Sequence, residues 1–233
     1  MAAVSIAIAP LLSRPHRLSQ TPYGSGGAVY NCGTATTINT GYFFNNRGYY
    51  GGALYLCGAN WLSGTQLISN TAGWAGGALR STGATTINNS TFDKNVATQD
   101  ESSGGHILSY GALWLDHSLL TNGMADAGGA LRSYGVSTVT ASSFVFNHAR
   151  GSYGEGGAIR NSGLLRVVNT TLAYNTADTA GGALFSADGS AKLINDTLDH
   201  NTALSGGGLF ANNPIELGNS IVSNGECAGT IVD

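Results

Sequence analysis

A glycine pair followed by a small and then an apolar residue returns along the whole chain, and this repeat restricts the fold more than any other feature. The pairs begin at Gly26, Gly51, Gly76, Gly104, Gly128, Gly156, Gly181 and Gly206, so successive starts lie 25, 25, 28, 24, 28, 25 and 25 residues apart. Such a period is too short for a helix-pair repeat and suits one coil of a solenoid. A second mark sets the register, an apolar residue three before an asparagine: Phe43 with Asn46, Leu67 with Asn70, Phe92 with Asn95, Leu119 with Asn122, Phe144 with Asn147, Leu172 with Asn175, Leu198 with Asn201, and Ile221 with Asn224.

From each pair to its asparagine the offsets are 20, 19, 19, 18, 19, 19, 20 and 18, while the gaps to the next pair are 5, 6, 9, 6, 9, 6 and 5. Length variation therefore gathers at one corner, as loops leaving one edge of a solenoid do. The two long corners, 96–103 and 148–155, hold Asp100, Glu101, Arg150 and Glu155. Within a unit the pattern is short and of period two, as in Leu79-Arg80, Ala84-Thr85-Thr86-Ile87 and Ser90-Thr91-Phe92. Three brief strands per coil are expected, with β-branched residues on them and no sustained helical period.

One coil cannot bury its own apolar face, but stacked coils can, each strand pairing with its copies at about 4.8 Å. The expected fold is all-β: a right-handed, single-stranded parallel β-helix of about eight coils, roughly 35 to 40 Å long. Leu79, Leu131, Ile159 and Leu184 should form an inward stack. The glycine pairs should supply positive φ or close backbone approach, and the asparagines a hydrogen-bonded ladder. The repeat domain spans 26–233. Residues 1–25 lack the repeat and read as an N-terminal extension, either a signal segment or a cap. No basic residue precedes its apolar stretch, and Pro10 interrupts that stretch.

Ten Lys and Arg against thirteen Asp and Glu give a net charge of -3, which excludes the concentrated basic surface that nucleic acid requires. No apolar run is long enough for a transmembrane helix. The five histidines, His16, His106, His117, His148 and His200, fall at unrelated repeat positions, so no metal site is expected, and nothing calls for a cofactor.

The Gly-Gly-Ala-(Ile/Leu/Val) and Phe-x-x-Asn elements resemble the repeats of the chlamydial polymorphic outer-membrane protein family. The first element is complete at 26–29, 51–54, 76–79, 128–131, 156–159 and 181–184; the second is strict at 43–46, 92–95 and 144–147. The resemblance covers 26–224. It implies a bacterial, pectin-lyase-like β-helix displayed at the cell surface or secreted, acting in adhesion. Members of that family add a C-terminal barrel for which no room follows Asn224, so the chain is expected to be a piece of a larger protein.

Arg80, Arg132 and Arg160 follow the tetrapeptide, and the same slot holds Tyr30, Tyr55, Phe185 and Phe210. Aromatic and guanidinium groups on one face suit a glycan or other surface ligand; the competing reading is a strand face whose rings stack for stability. Trp114-Leu115-Asp116-His117 resembles a pectate lyase signature, which implies a polysaccharide lyase or glycoside hydrolase as the alternative function. The calcium-binding carboxylates and the Arg-x-Pro-x-x-Arg segment of those enzymes do not follow here, and a turn role for Asp116 and His117 is expected instead. Asp93 and Asp199 lie too far apart to form a catalytic pair. Asp100, Glu101 and Glu155 are expected to be solvated, with loose calcium binding as the competing reading. Outward threonines such as Thr36, Thr86 and Thr138 raise ice binding, ranked last because several coils lack the residue. Cys32 and Cys57 each lie six residues after a glycine pair, hence one above the other, within the Cα range of a disulfide; bonded and stacked-thiol states both fit. Cys227 has no partner in register.

Overall fold

The computed structural model describes residues 4–7 and 24–232. They form a parallel β-solenoid of about eight coils without helix, with strands in stacks of seventeen, eight and six. Of the N-terminal extension, Val4–Ala7 pairs in parallel with Ala35–Asn39, while His16 and the rest of the segment before Gly24 lie outside the described residues.

Each of the first six coils has four strands rather than three. In the second coil these are Leu54–Leu56, Ala59–Ser63, Gln66–Ile68 and Thr71–Ala75. The fourth strand begins directly after the asparagine, so Val96–Ala97 and His148–Ala149 are strand and the long loops start later than the sequence suggested. Its inward residue is alanine (Ala72, Ala97, Ala125, Ala149, Ala177), too small to stand out in an apolar pattern. The first two strands of every coil belong to the large sheet, and in the last full coil they fuse into Leu209–Gly218.

Like residues lie atop one another as expected. Leu79 pairs with Ile107, then Leu131, Ile159, Leu184 and Leu209 follow, all buried. Ile38, Leu62, Ile87, Leu115, Val139, Val167 and Leu193 form a second inward column. The two members of a glycine pair divide the work. The first turns the corner at positive φ (63° at Gly76), and the second takes the close approach: a Cβ on Gly77 would sit 2.0 Å from the Gly105 carbonyl oxygen.

The asparagine ladder is present with two corrections. Asn46 donates its N–H and Nδ2–H to Oδ1 of Asn70 (both 2.9 Å); Asn70 does the same to Asn95, Asn147 to Asn175, and Asn175 to Asn201. Asn122 and Asn224 are not rungs. Leu120 and Val222, not Leu119 and Ile221, stack with Phe144 and Leu198, so the rung positions are Gly123 and Gly225. Asn122 and Asn224 stand one residue earlier, exposed and left-handed, in the column that holds Asn45, Ser69 and Lys94. The two offsets of 18 were the signature of this slip. At Gly123 the missing carboxamide is replaced by His106, which stands where other coils have the alanine of the tetrapeptide and bridges Asn95 and Asn147.

A second ladder, mostly of hydroxyls, runs beside the first without a strict sequence motif. Thr65 N–H donates to Ser90 Oγ, and the chain of bonds continues through Ser118, Ser142, Thr170, Asp196 and Ser220.

Candidate functional site

A third glycine column joins the first two strands of the first seven coils: Gly33, Gly58, Gly83, Gly111, Gly135, Gly163 and Gly189. From Gly58 onward a side chain here would strike the coil before it; a Cβ on Gly163 would lie 2.0 Å from the Gly135 oxygen. A buried polar residue just ahead binds the corner glycine's carbonyl, with Ser81 donating to Gly83 (3.1 Å), Asn161 to Gly163 (2.9 Å) and Ser186 to Gly189 (2.6 Å). Bare backbone at the corner leaves a groove of about 540 Å³ along the rod, lined by Tyr134, Val136, Ser162, Leu164, Asp188 and Asn213 among others.

On one side of the corner lies the column singled out in the sequence. Tyr30, Tyr55, Arg80, Arg132, Arg160, Phe185 and Phe210 are in register, with Leu108 completing the column between Arg80 and Arg132. Its members largely satisfy one another. Tyr30 stacks on Tyr55 with ring centroids 5.2 Å apart, and Phe185 on Phe210 at 5.1 Å. The Arg80 guanidinium lies 4.2, 4.9 and 5.3 Å from the ring centroids of Tyr50, Tyr55 and Tyr110, and that of Arg132 lies 4.2 Å from Tyr134. Arg160 donates Nε–H to Glu155 at 2.6 Å.

As a result the middle of the column is not an exposed stripe: Leu108 is 2%, Arg132 3% and Phe185 4% accessible. Burial, then the neighbouring Arg160, draws the Arg132 guanidinium below its ordinary pKa, and among the described residues its Nε and Nη1 have no hydrogen-bond partner. Cation–π contact of this kind contributes about 0.5–2 kcal/mol each, more where water is excluded. Arg132 and Phe185 therefore act first in packing, while Tyr30, Tyr110 and Tyr134 remain open to solvent.

The other side of the corner carries a column that the repeat marks alone do not single out. Thr37, Trp61, Thr86, Trp114, Thr138, Arg166, Lys192 and Glu216 are in register and point outward. Trp61 and Trp114 are 45% and 46% exposed. Arg166 is exposed, and Lys192 pairs with Glu216 at 2.7 Å. Residues two apart on a strand share a face, so Thr138 and Arg166 lie just beyond Val136 and Leu164 at the groove. A constant offset of ten residues from Gly51, Gly76, Gly104, Gly128 and Gly156 was the available signal. It fails in the first coil, which has one extra residue: Thr36 is buried, facing inward with Asn60 and Thr85, and Thr37 is the outward threonine.

His117 has the turn role expected of it, whereas Asp116 ends the strand Leu113–Asp116. His117 sits at φ 45° in the corner column of Asn89 and Ala141. Asp116 takes hydrogen bonds from Thr140 and His117, which hold its carboxyl below the ordinary range. Asp93 accepts from Asn122, and Asp199 is hydrogen-bonded to His200 and Asn224, which lower its pKa. Glu155 is held by Arg160, while Asp100 and Glu101 are exposed. Among the described residues no three His, Cys, Asp or Glu side chains gather as a metal site.

Cys32 and Cys57 form a disulfide with Cα atoms 4.5 Å apart, and Cys227 is free and exposed. No helix of the described residues is long and apolar enough to cross a membrane, which says nothing of strand-built barrels. Comparison of the chain with protein-family models, curated proteins and solved structures finds no match.

Proposed function

We propose that this chain is a non-catalytic glycan-binding domain of a secreted or cell-surface protein that acts in adhesion. One observation carries the reading: the outer side of the large sheet holds exposed rings on both flanks of the glycine corner, Tyr30, Tyr110 and Tyr134 on one and Trp61 and Trp114 on the other. Aromatic faces stack on the C–H faces of sugars, and the hydrogen-bonded solenoid holds them fixed, so little conformational freedom is lost on binding. The Cys32–Cys57 bond suits an oxidising location outside the cytosol, and the repeats resembling those of polymorphic outer-membrane proteins suit surface display.

A polysaccharide lyase or glycoside hydrolase needs convergent acids or an arginine base aimed at the sugar. Here Asp116 and Asp199 each bond to the histidine that follows, and Arg160 is tied to Glu155. The test is to incubate purified protein with pectate, alginate, cellulose-type and host-type glycans, with and without calcium, and to measure both retention and new chain ends. Retention without turnover is expected. Turnover, or failure to bind any of these glycans, defeats the reading.

A further inference from the structure

The column through Trp61 and Trp114 has an internal rhythm. Threonine stands on the first, third and fifth coils (Thr37, Thr86, Thr138), whereas a large flat group stands on the second, fourth and sixth (Trp61, Trp114, Arg166). With successive strands about 4.8 Å apart, Trp61 lies about 9.6 Å from Trp114 along the rod, and Trp114 the same from Arg166. The short threonines leave the rings standing clear of their neighbours. Lys192 and Glu216 close the column by pairing with each other.

From this spacing we propose that the column binds a linear β-1,4-linked hexose chain lying parallel to the rod axis. The inference rests on the glycan-binding reading above and names the ligand class. In an extended β-1,4 chain each sugar is turned about half a revolution from the last, so the same ring face recurs at every second sugar, over a length close to two coils. Trp61 and Trp114 then meet equivalent faces two sugars apart. Thr86 and Thr138 lie under the intervening sugars, each with a hydroxyl that donates and accepts. Arg166, exposed and without an ion pair among the described residues, offers a planar donor fork to hydroxyls or a carboxylate at the next repeat. An α-1,4 chain coils and cannot keep this phase over three positions. The column's other use, packing of aromatic on β-branched neighbours for sheet stability, predicts no dependence of binding on spacing.

The test uses the whole chain and titrates β-1,4-linked and α-1,4-linked glucose hexamers and pectate, with thermal melting of every variant to confirm folding. The β-1,4 hexamer should bind best, and Trp61→Ala and Trp114→Ala should each weaken it about ten-fold. The decisive variant is the double Thr86→Trp, Trp114→Thr, which keeps two tryptophans but places them one coil apart. It should lose as much affinity as Trp114→Ala. Wild-type affinity in this folded double variant, or equal binding of the α-linked hexamer, overturns the proposal. Binding of pectate alone overturns it while leaving the glycan-binding reading intact; binding of no glycan ends both.

Discussion

His106 Nε2 lies 3.1 Å from Asn147 Oδ1, standing in for a ladder asparagine that the fourth coil lacks. On its other side Nδ1 lies 3.0 Å from Asn95 Nδ2, a nitrogen that also donates to the Leu67 carbonyl. Asn95 Nδ2 is thus the donor, so Nδ1 accepts and Nε2 bears the proton. The imidazole reproduces the ladder's acceptance from the coil before and donation to the coil after, and only its neutral form can do so.

A compensation between His106 and Gly123 follows. A Cβ on Gly123 would lie 2.6 Å from His106 Nε2 and 2.5 Å from the Gly129 oxygen, so the ring occupies the space an asparagine there would use. His106→Ala alone should cost about 2–4 kcal/mol by opening a cavity and stranding Asn95. Gly123→Asn alone should also destabilise. Together they restore the repeat consensus, and urea unfolding should give a double variant better than the sum of the two losses, even though the backbone must still draw back from Gly129. Strict additivity would show that the two sites are not coupled.

The same histidine makes stability depend on pH. Burial pushes its pKa down to about 4 from an ordinary 6.5. Above 6.5 its contribution is complete; between 6.5 and 4 the unfolded chain takes up a proton that the fold refuses, at a cost reaching about 3 kcal/mol. Asp196 runs the other way. Burial raises its carboxyl to about 6, so the fold favours the protonated acid and gains as pH falls from 6 toward 3.8. Wild type should therefore change modestly between pH 7 and 4.5. Asp196→Ser, which restores the hydroxyl of its column, should expose a steep acid loss, and the His106→Ala, Gly123→Asn pair should remove it. Unfolding midpoints at the two pH values decide the matter.

Ladder membership separates two asparagines that look alike in sequence. Asn147 accepts from Gly123 N–H and His106 and donates to the Leu120 carbonyl and to Asn175, so Asn147→Ala should cost about 3 kcal/mol or more. Asn122 makes one exposed bond to Asp93, and Asn122→Ala should cost less than about 1 kcal/mol. Equal losses in thermal melts would contradict the register given above.

Glycine is indispensable at one corner and replaceable at another. Gly163→Ala drives a methyl into the Gly135 oxygen and should cost about 3 kcal/mol or prevent folding. Gly64, unlike Gly163, has positive φ, but its Cβ would meet nothing closer than 3.4 Å, and Asn89 and Ala141 occupy the same column. Gly64→Asn should therefore shift stability by less than about 1 kcal/mol. Comparable expression and melting of the two variants would count against close stacking at the Gly163 corner.

Periodicity alone determined the solenoid, its coil number, the inward leucine stack and most of the ladder, because in-register stacking forces equivalent residues into equivalent environments. It also found the Tyr–Arg–Phe column, since that column keeps a fixed distance from a strong mark. Only the tertiary structure decided what each column does. Phe185 is covered because Phe210, one coil away, stacks upon it, and Arg132 because the Tyr134 ring of its own coil lies against its guanidinium, relations that a linear pattern does not contain. Trp61 and Trp114 are 53 positions apart in sequence yet two coils apart in space. His106 serves a ladder on another strand because its coil turns back on itself, and one-residue slips such as Leu119 for Leu120 reverse a side chain from core to solvent, a difference that only the pairing register resolves.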